Sequence, residues 1–332
     1  HCLRALHHVR LGAHGLPLIG TGDWNDALNR VGSEGKGESV WLGFFYAYVL
    51  EAYAPLCQDD DRAALESQRA RVLDHADQDG WDGAWYRRAW SDDGTVLGSQ
   101  QSPECRIDVI VQSWAVLAGA PDAQAREAMR QALSQLVDSS LGIIKLLWPP
   151  FDGILSPGYI RGYLPGVREN GGQYTHGAIW AVLACLRLGW QEEAWRLYRM
   201  LLPLSHSRNR AAADQYRVEP YVVAADVYAN DQQAGRGGWT WYTGSAAWLY
   251  LAGLEGLLGF EKQGMRVRLC ATLPQDWPGF SIDYRLGKTV YVLRVLRDCA
   301  FPQADGLALP DDWLTLADDG ATHEAVWPPH LT

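Results

Sequence analysis

Up to about residue 260 the chain keeps returning to one pattern: an apolar stretch at helical period, then a loop of Gly, Trp and polar residues. Residues 40–54 place an apolar side chain on nearly every turn, as a buried helix does. Residues 123–138 (AQAREAMRQALSQLVD) set Ala and Leu against charges at the same period, and residues 178–189 alternate small and large apolar groups. A further helix over 191–202 follows after one short turn, and 245–258 closes the series, with Gly259 as its C-terminal stop. Paired helices joined by loops too polar to bury must pack on one another and leave the loops at their ends. The pattern predicts a mainly α fold, an α/α toroid whose loops gather at one end and line a pocket.

The character changes after about residue 264. Residues 265–271, 280–286 and 288–297 alternate apolar with polar or are β-branched, which predicts strands. Leu286-Gly287-Lys288 suggests a hairpin, and Leu273-Pro274-Gln275-Asp276-Trp277-Pro278 a rigid connector before it. The last thirty or so residues have no periodicity that places them. The expected division is a helical domain over 1–262 and a small β-region over 263–332. The opening His-Cys-Leu-Arg-Ala-Leu-His-His enters as if in mid-helix, with neither Met nor cap, so a fragment of a larger protein is expected.

The formal charge of −10 argues against a nucleic-acid backbone or an anionic membrane surface as partner. No apolar run is long enough to span a bilayer. The six cysteines are scattered without a C-x-x-C pair, which argues against a zinc site or disulfide framework and for a reducing compartment. Sixteen Trp and fifteen Tyr against six Phe favour rings with a polar handle, suited either to stacking on sugars or to a large Trp-rich core.

Three segments could carry chemistry. In Gly22-Asp23-Trp24-Asn25-Asp26 two carboxylates flank a Trp. A Trp beside a carboxylic acid can stack on a sugar ring and, by excluding water, favour the protonated form that donates to a glycosidic oxygen. An Asp at a loop-to-helix boundary can equally be an N-cap, and both hold if Asp23 caps while Asp26 works. In Arg168-Glu169-Asn170-Gly171-Gly172-Gln173-Tyr174-Thr175-His176, two adjacent glycines suggest exposed backbone close to a ligand. His176 there falls near a helix start, where an anion is favoured. Gly235-Arg236-Gly237-Gly238-Trp239-Thr240-Trp241-Tyr242-Thr243-Gly244 also leads Gly-rich backbone and hydroxyls into a helix, and it does not fit a nucleotide P-loop. One acid beside two anion-suited loops, without an obvious second catalytic carboxylate, points to phosphate as the attacking group. Polar loops at Gly35-Lys36-Gly37-Glu38-Ser39, Trp85-Tyr86-Arg87-Arg88-Ala89-Trp90 and Glu219-Pro220-Tyr221 could line sugar subsites or be solvated and capped.

On these motifs, in this order, the chain resembles glycoside hydrolase family 94, the cellobiose and chitobiose phosphorylases and their relatives. The runs GLPLIGTGDWNDALNRVGSEGKGESVWLGFF, RENGGQYTHGAIWAVLA, EPYVVAADVY and GRGGWTWYTGSAAWLYL look most like the C-terminal phosphorylase-like domain of cyclic β-1,2-glucan synthases. The resemblance implies an (α/α)6-barrel, here N-terminally truncated, followed by a β-sandwich region. It implies inverting phosphorolysis of a β-linked glucan to α-glucose 1-phosphate, with inorganic phosphate as co-substrate, no cofactor and no metal. By the same resemblance Asp26 is the general acid and Trp24, Arg168 and Glu169 bind the sugar. His176, Thr243 and Gly244 then hold phosphate. A phosphate-site Arg of the family lies upstream of the acid and outside this sequence. The parent is expected to carry upstream membrane and glycosyltransferase domains, with this domain on the cytoplasmic side of the inner membrane, and a homodimer is compatible with it. A hydrolase on the same barrel, using Glu169 as second carboxylate, and an inactive glucan-binding fragment are the alternatives.

Overall fold

The computed structural model describes every residue except Tyr242, Leu331 and Thr332, and of Thr243 the backbone alone. The chain forms two compact units, His1–Leu188 with Leu197–Ala246, and Gly189–Arg196 with Ala247–Thr332. The helices are α1 (Cys2–His7), α2 (Val40–Tyr53), α3 (Asp59–Gln78), α4 (Val109–Ala118), α5 (Asp122–Leu136), α6 (Thr175–Arg187), α7 (Gln191–Leu201), α8 (Arg210–Tyr216) and α9 (Thr243–Leu251).

In the first unit α2, α4 and α6 lie side by side, with α3 behind α2 and α5 behind α4. The sequence explains the layering. The inner helices are apolar on most faces, and nine of the ten residues of α4 are buried. In α5 the buried positions are Ala125, Ala128, Met129, Ala132 and Leu136, one stripe at helical spacing. In α3 they shrink to Leu65, Val72 and Ala76 in an otherwise charged helix, which is why periodicity gave no sign of it. Each inner helix contributes a buried tryptophan to one cluster. Trp41, Trp114 and Trp180 stand with ring centroids 5.2–6.1 Å apart, a spacing at which edge and offset contacts add to burial. For these three the Trp-rich composition serves the core.

Each inner helix is entered through a two-residue strand. Glu38–Ser39 pairs with Ala89–Trp90 before α2, Ile107–Asp108 with Leu147–Trp148 before α4, and Gln173–Tyr174 with Asp226–Val227 before α6. These short ladders pin long loops to the helix N-termini, where free N–H groups and the helix dipole favour negative charge.

The second unit takes in α9 from Ala247 on, which runs into a π-helical turn, Ala252–Leu257, and Gly259 in the left-handed region (φ 63°) ends it. Phe260–Gln263, Arg266–Leu269 and Leu314–Thr315 form a three-stranded sheet. A five-stranded sheet has the order Gly279–Leu286, Thr289–Leu296, Thr322–Trp327, Gln303–Ala304, Leu307–Ala308. The hairpin is closed by Gly287 and Lys288, pairing Leu286 with Thr289, with Gly287 at φ 56° as a tight two-residue turn requires. Along Thr289–Leu296 every second side chain is buried, and Val267, Leu269, Tyr291, Leu293, Val295 and Trp327 from both sheets share one core. The tail that periodicity left unplaced supplies Thr322–Trp327, which runs parallel to Thr289–Leu296 inside the sheet. All six cysteines carry free thiols. Among the described residues no helix is long and apolar enough to cross a membrane, and no three His, Cys, Asp or Glu side chains are grouped to hold a metal ion.

Candidate active site

The loop carrying Asp26 is fixed from below by a buried ion cluster. Arg88, wholly inaccessible to solvent, donates from Nη1 and Nη2 to the two Asp23 oxygens at 2.7 Å each, and from Nε to Asp108 at 3.0 Å. Asp108 also caps α4 by accepting the Ile110 N–H, and Ser39, the cap of α2, donates to Asp23 at 2.6 Å. Arg88 thus binds the Gly22–Asp26 loop to the N-termini of two inner helices at once. Burial pushes the Asp108 carboxyl up to about 6 against the pull of Arg88. The carboxylates hold Arg88 in its charged form although burial alone would lower its pKa. Asp23 is therefore an ion-pair partner, and the cap of the following turn (Asp26–Leu28) is Asn25, whose side chain accepts the Ala27 N–H. Asp26, one residue on, is exposed, and it accepts a 2.5 Å hydrogen bond from the Tyr159 hydroxyl.

Trp24 joins the Gly22–Asp26 loop to α6. Its indole N–H donates to His176 Nδ1 at 3.3 Å, and its ring lies 5.3 Å from Tyr174 and 5.2 Å from Trp180. With Nδ1 accepting, the His176 proton is placed on Nε2. Burial lowers its pKa to about 4, so the ring is neutral at physiological pH.

Arg168 forms the next layer. Its backbone is left-handed (φ 51°), and its guanidinium lies 5.3 Å from the Tyr163 ring, 5.8 Å from Tyr174 and 5.6 Å from Trp239. Its Nε donates to Glu169 at 3.3 Å. Asn170, fully buried, fixes the turn: it accepts from Phe151 N–H and donates to the Phe151 and Tyr163 carbonyls. Asp226 accepts the Trp239 N–H, and burial pushes its carboxyl up to about 6 against the pull of that N–H and Arg168. Gly238 packs against that carboxyl with no room for a Cβ.

The residues singled out from sequence fall as follows. Trp24 touches His176 and Tyr174, Asp26 is hydrogen-bonded to Tyr159 beside Tyr163, and Arg168, paired with Glu169, lies over Tyr163 and Tyr174. Gly244 lies in the first turn of α9, where a Cβ would meet nothing within 4 Å. The Thr243 side chain lies outside the described residues. Gly171 and Gly172 are buried and serve a tight turn, contrary to the expectation of exposed backbone there. The 85–90 segment is neither a solvated loop nor a rim: Tyr86, Arg88 and Ala89 are completely enclosed. Glu38 in the 35–39 loop is likewise buried, clamping the His14 and Leu16 N–H groups. Tyr221 stays exposed, as do Trp239 and Trp241. Sequence reasoning missed Tyr159, Tyr163 and Asp108 altogether, and no motif surrounds them that would have marked them.

A sequence model of the glycosyl hydrolase 94 superfamily, catalytic domain, matches residues 1–259. The catalytic domain of that family is an (α/α)6 barrel, to which the two helical layers of the first unit correspond. The chain is 51% identical over 306 residues to the cyclic beta-(1,2)-glucan synthase NdvB of Rhizobium meliloti (strain 1021), covering 90% of this chain and 11% of that protein. It is 31% identical to the solabiose phosphorylase of Paenibacillus borealis over 97% of this chain and 44% of that one. A 3-O-beta-D-glucopyranosyl-beta-D-glucuronide phosphorylase from the same organism is 30% identical over 86% of this chain and 37% of its own length. The chain thus spans between about a tenth and less than half of these relatives.

Proposed function

The chain belongs to the glycosyl hydrolase 94 superfamily, and on that premise we propose that it carries out inverting phosphorolysis of a β-linked glucan, β-1,2-glucan by its likeness to the glucan synthase. In this reading Asp26 protonates the glycosidic oxygen. Phosphate attacks the anomeric carbon from the opposite face, the C1–O bond breaks, and α-glucose 1-phosphate leaves with inverted configuration. His176 Nε2–H, as a neutral donor, and the α9 N-terminus at Thr243 and Gly244 would hold phosphate. Trp24, Arg168 and Glu169 would hold the sugar. In a longer parent such a domain would limit glucan chain length.

The observation that carries the proposal is the coupling of the acid to the phosphate candidate through one tryptophan: Trp24 is two residues from Asp26 and hydrogen-bonded to His176. The hydrolytic alternative is less well supported. It needs a second carboxylate free to activate water, and Glu169 is buried and ion-paired to Arg168.

The test is incubation with linear β-1,2-glucan with and without phosphate. Glucose 1-phosphate should form only with phosphate, and Asp26→Asn should abolish it while leaving the thermal melt unchanged. Glucose released without phosphate would replace this reading with hydrolysis, and full activity in D26N would remove Asp26 from the role of acid.

A further inference from the structure

Tyr159 opens the 3-10 turn Tyr159–Gly162 and is fastened to the acid loop at several points. The Arg30 N–H donates to the Pro157 carbonyl at 2.9 Å, and the Tyr159 N–H donates to Asn29 Oδ1 at 3.0 Å. Gly158 lies against the Ala27 carbonyl so closely that a Cβ has no space. Farther back, the Glu104 carboxylate accepts the N–H groups of Asp152, Gly153 and Leu155 and anchors the start of the segment. The result is a phenol fixed by its own backbone, donating at 2.5 Å to Oδ1 of a carboxylate that is otherwise exposed.

We infer that Tyr159 is a positioning residue for the acid: it occupies Oδ1 of Asp26, so that the transferable proton sits on Oδ2, and it stabilises the carboxylate left after transfer. The inference rests on Asp26 being the acid. A donor bonded to a carboxylate favours the ionised form, and such charge-assisted bonds are stronger than neutral ones. The phenol bond therefore strengthens as the proton leaves Asp26 for the glycosidic oxygen, an interaction greater in the transition state than in the ground state. In the synthetic direction the same bond holds the base. Burial, and then the hydrogen bond and charge of Asp26, raise the phenol's own pKa, so it remains a donor. Tyr163 and Glu169 also act electrostatically on the phenol, and Arg30 and Arg161 line the same depression.

Tyr159→Phe keeps the ring, which is 46% exposed, so the fold is expected to survive. In the full 332-residue chain, carboxyl 13C NMR can follow Asp26, its resonance identified by its loss in D26N. Y159F should move the chemical shift of that resonance, because the 2.5 Å phenol bond to Oδ1 is gone. Phosphorolysis should lose on the order of ten-fold in kcat, with the KM for phosphate little changed. The loss should shrink for an aryl β-glucoside whose leaving group needs no proton, a selectivity that a merely structural role would not produce. An Asp26 resonance unchanged in Y159F overturns the inference whether or not the chain turns over. Activity retained in D26N overturns the assignment of the acid and leaves the Y159F resonance as a separate result.

Discussion

Replacing Arg88 by Met tests how the Gly22–Asp26 loop is held. The substitution keeps an unbranched apolar stem of comparable reach and deletes the cation. It leaves Asp23 and Asp108 facing one another in a space with no solvent access to either side chain beyond 1%. Asp23 retains the Ser39 hydroxyl and the Asn25 N–H, and Asp108 retains the Ile110 N–H. Four donor bonds from Arg88 are lost, two to Asp23, one to Asp108 and one to Ser39. Removing one partner of a buried pair costs about 3–5 kcal/mol, mostly as uncompensated charge. For a unit of this size that corresponds to a fall in Tm of roughly 6 °C or more. Urea unfolding followed by tryptophan fluorescence measures it, because Trp41, Trp114 and Trp180 lie in the core of the same unit. Neutralising the carboxylates as well, in R88M/D23N/D108N, should recover much of the loss, since an all-neutral cluster carries no stranded charge. A loss below about 1 kcal/mol in R88M, or no recovery in the triple variant, would refute the view that Arg88 is there to compensate two buried charges.

Two further outcomes follow from the same geometry. His176 is held neutral by burial, with its folded pKa lowered from 6.5 to about 4. The unfolded chain takes up a proton there first, so this contribution is present above about pH 6.5 and is lost as pH falls toward about 4. Urea midpoints between pH 4.5 and 7.5 should fall less steeply in His176→Phe, and equal slopes would contradict the buried neutral ring. Gly158→Ala forces a Cβ against the Ala27 carbonyl at φ 150°. It should cost about 1–3 kcal/mol and lower kcat in the same sense as Y159F, with wild-type stability as the opposing result.

Local sequence pattern marked the candidate groups and the type of most elements. Asp26, His176 and the glycine-rich approach to α9 are local motifs, each written within a dozen residues at a loop-to-helix boundary, and the resemblance rests on them. Buried helices with continuous apolar faces, such as α2 and α6, and the strict alternation of Thr289–Leu296 were legible because burial imposes a period on one segment alone. Features set by partners distant in sequence emerge only in the folded chain. Arg88 looked like part of a polar loop because its partners, Asp23 and Asp108, lie 65 and 20 residues away. Tyr159 could not be connected with Asp26 across 133 residues by any local rule. Even the tail strand Thr322–Trp327 has little pattern of its own, and it becomes a strand because Thr289–Leu296 offers it an open edge to pair with. Motifs fix which groups can react, whereas long-range hydrogen bonds and burial fix the direction in which each group points.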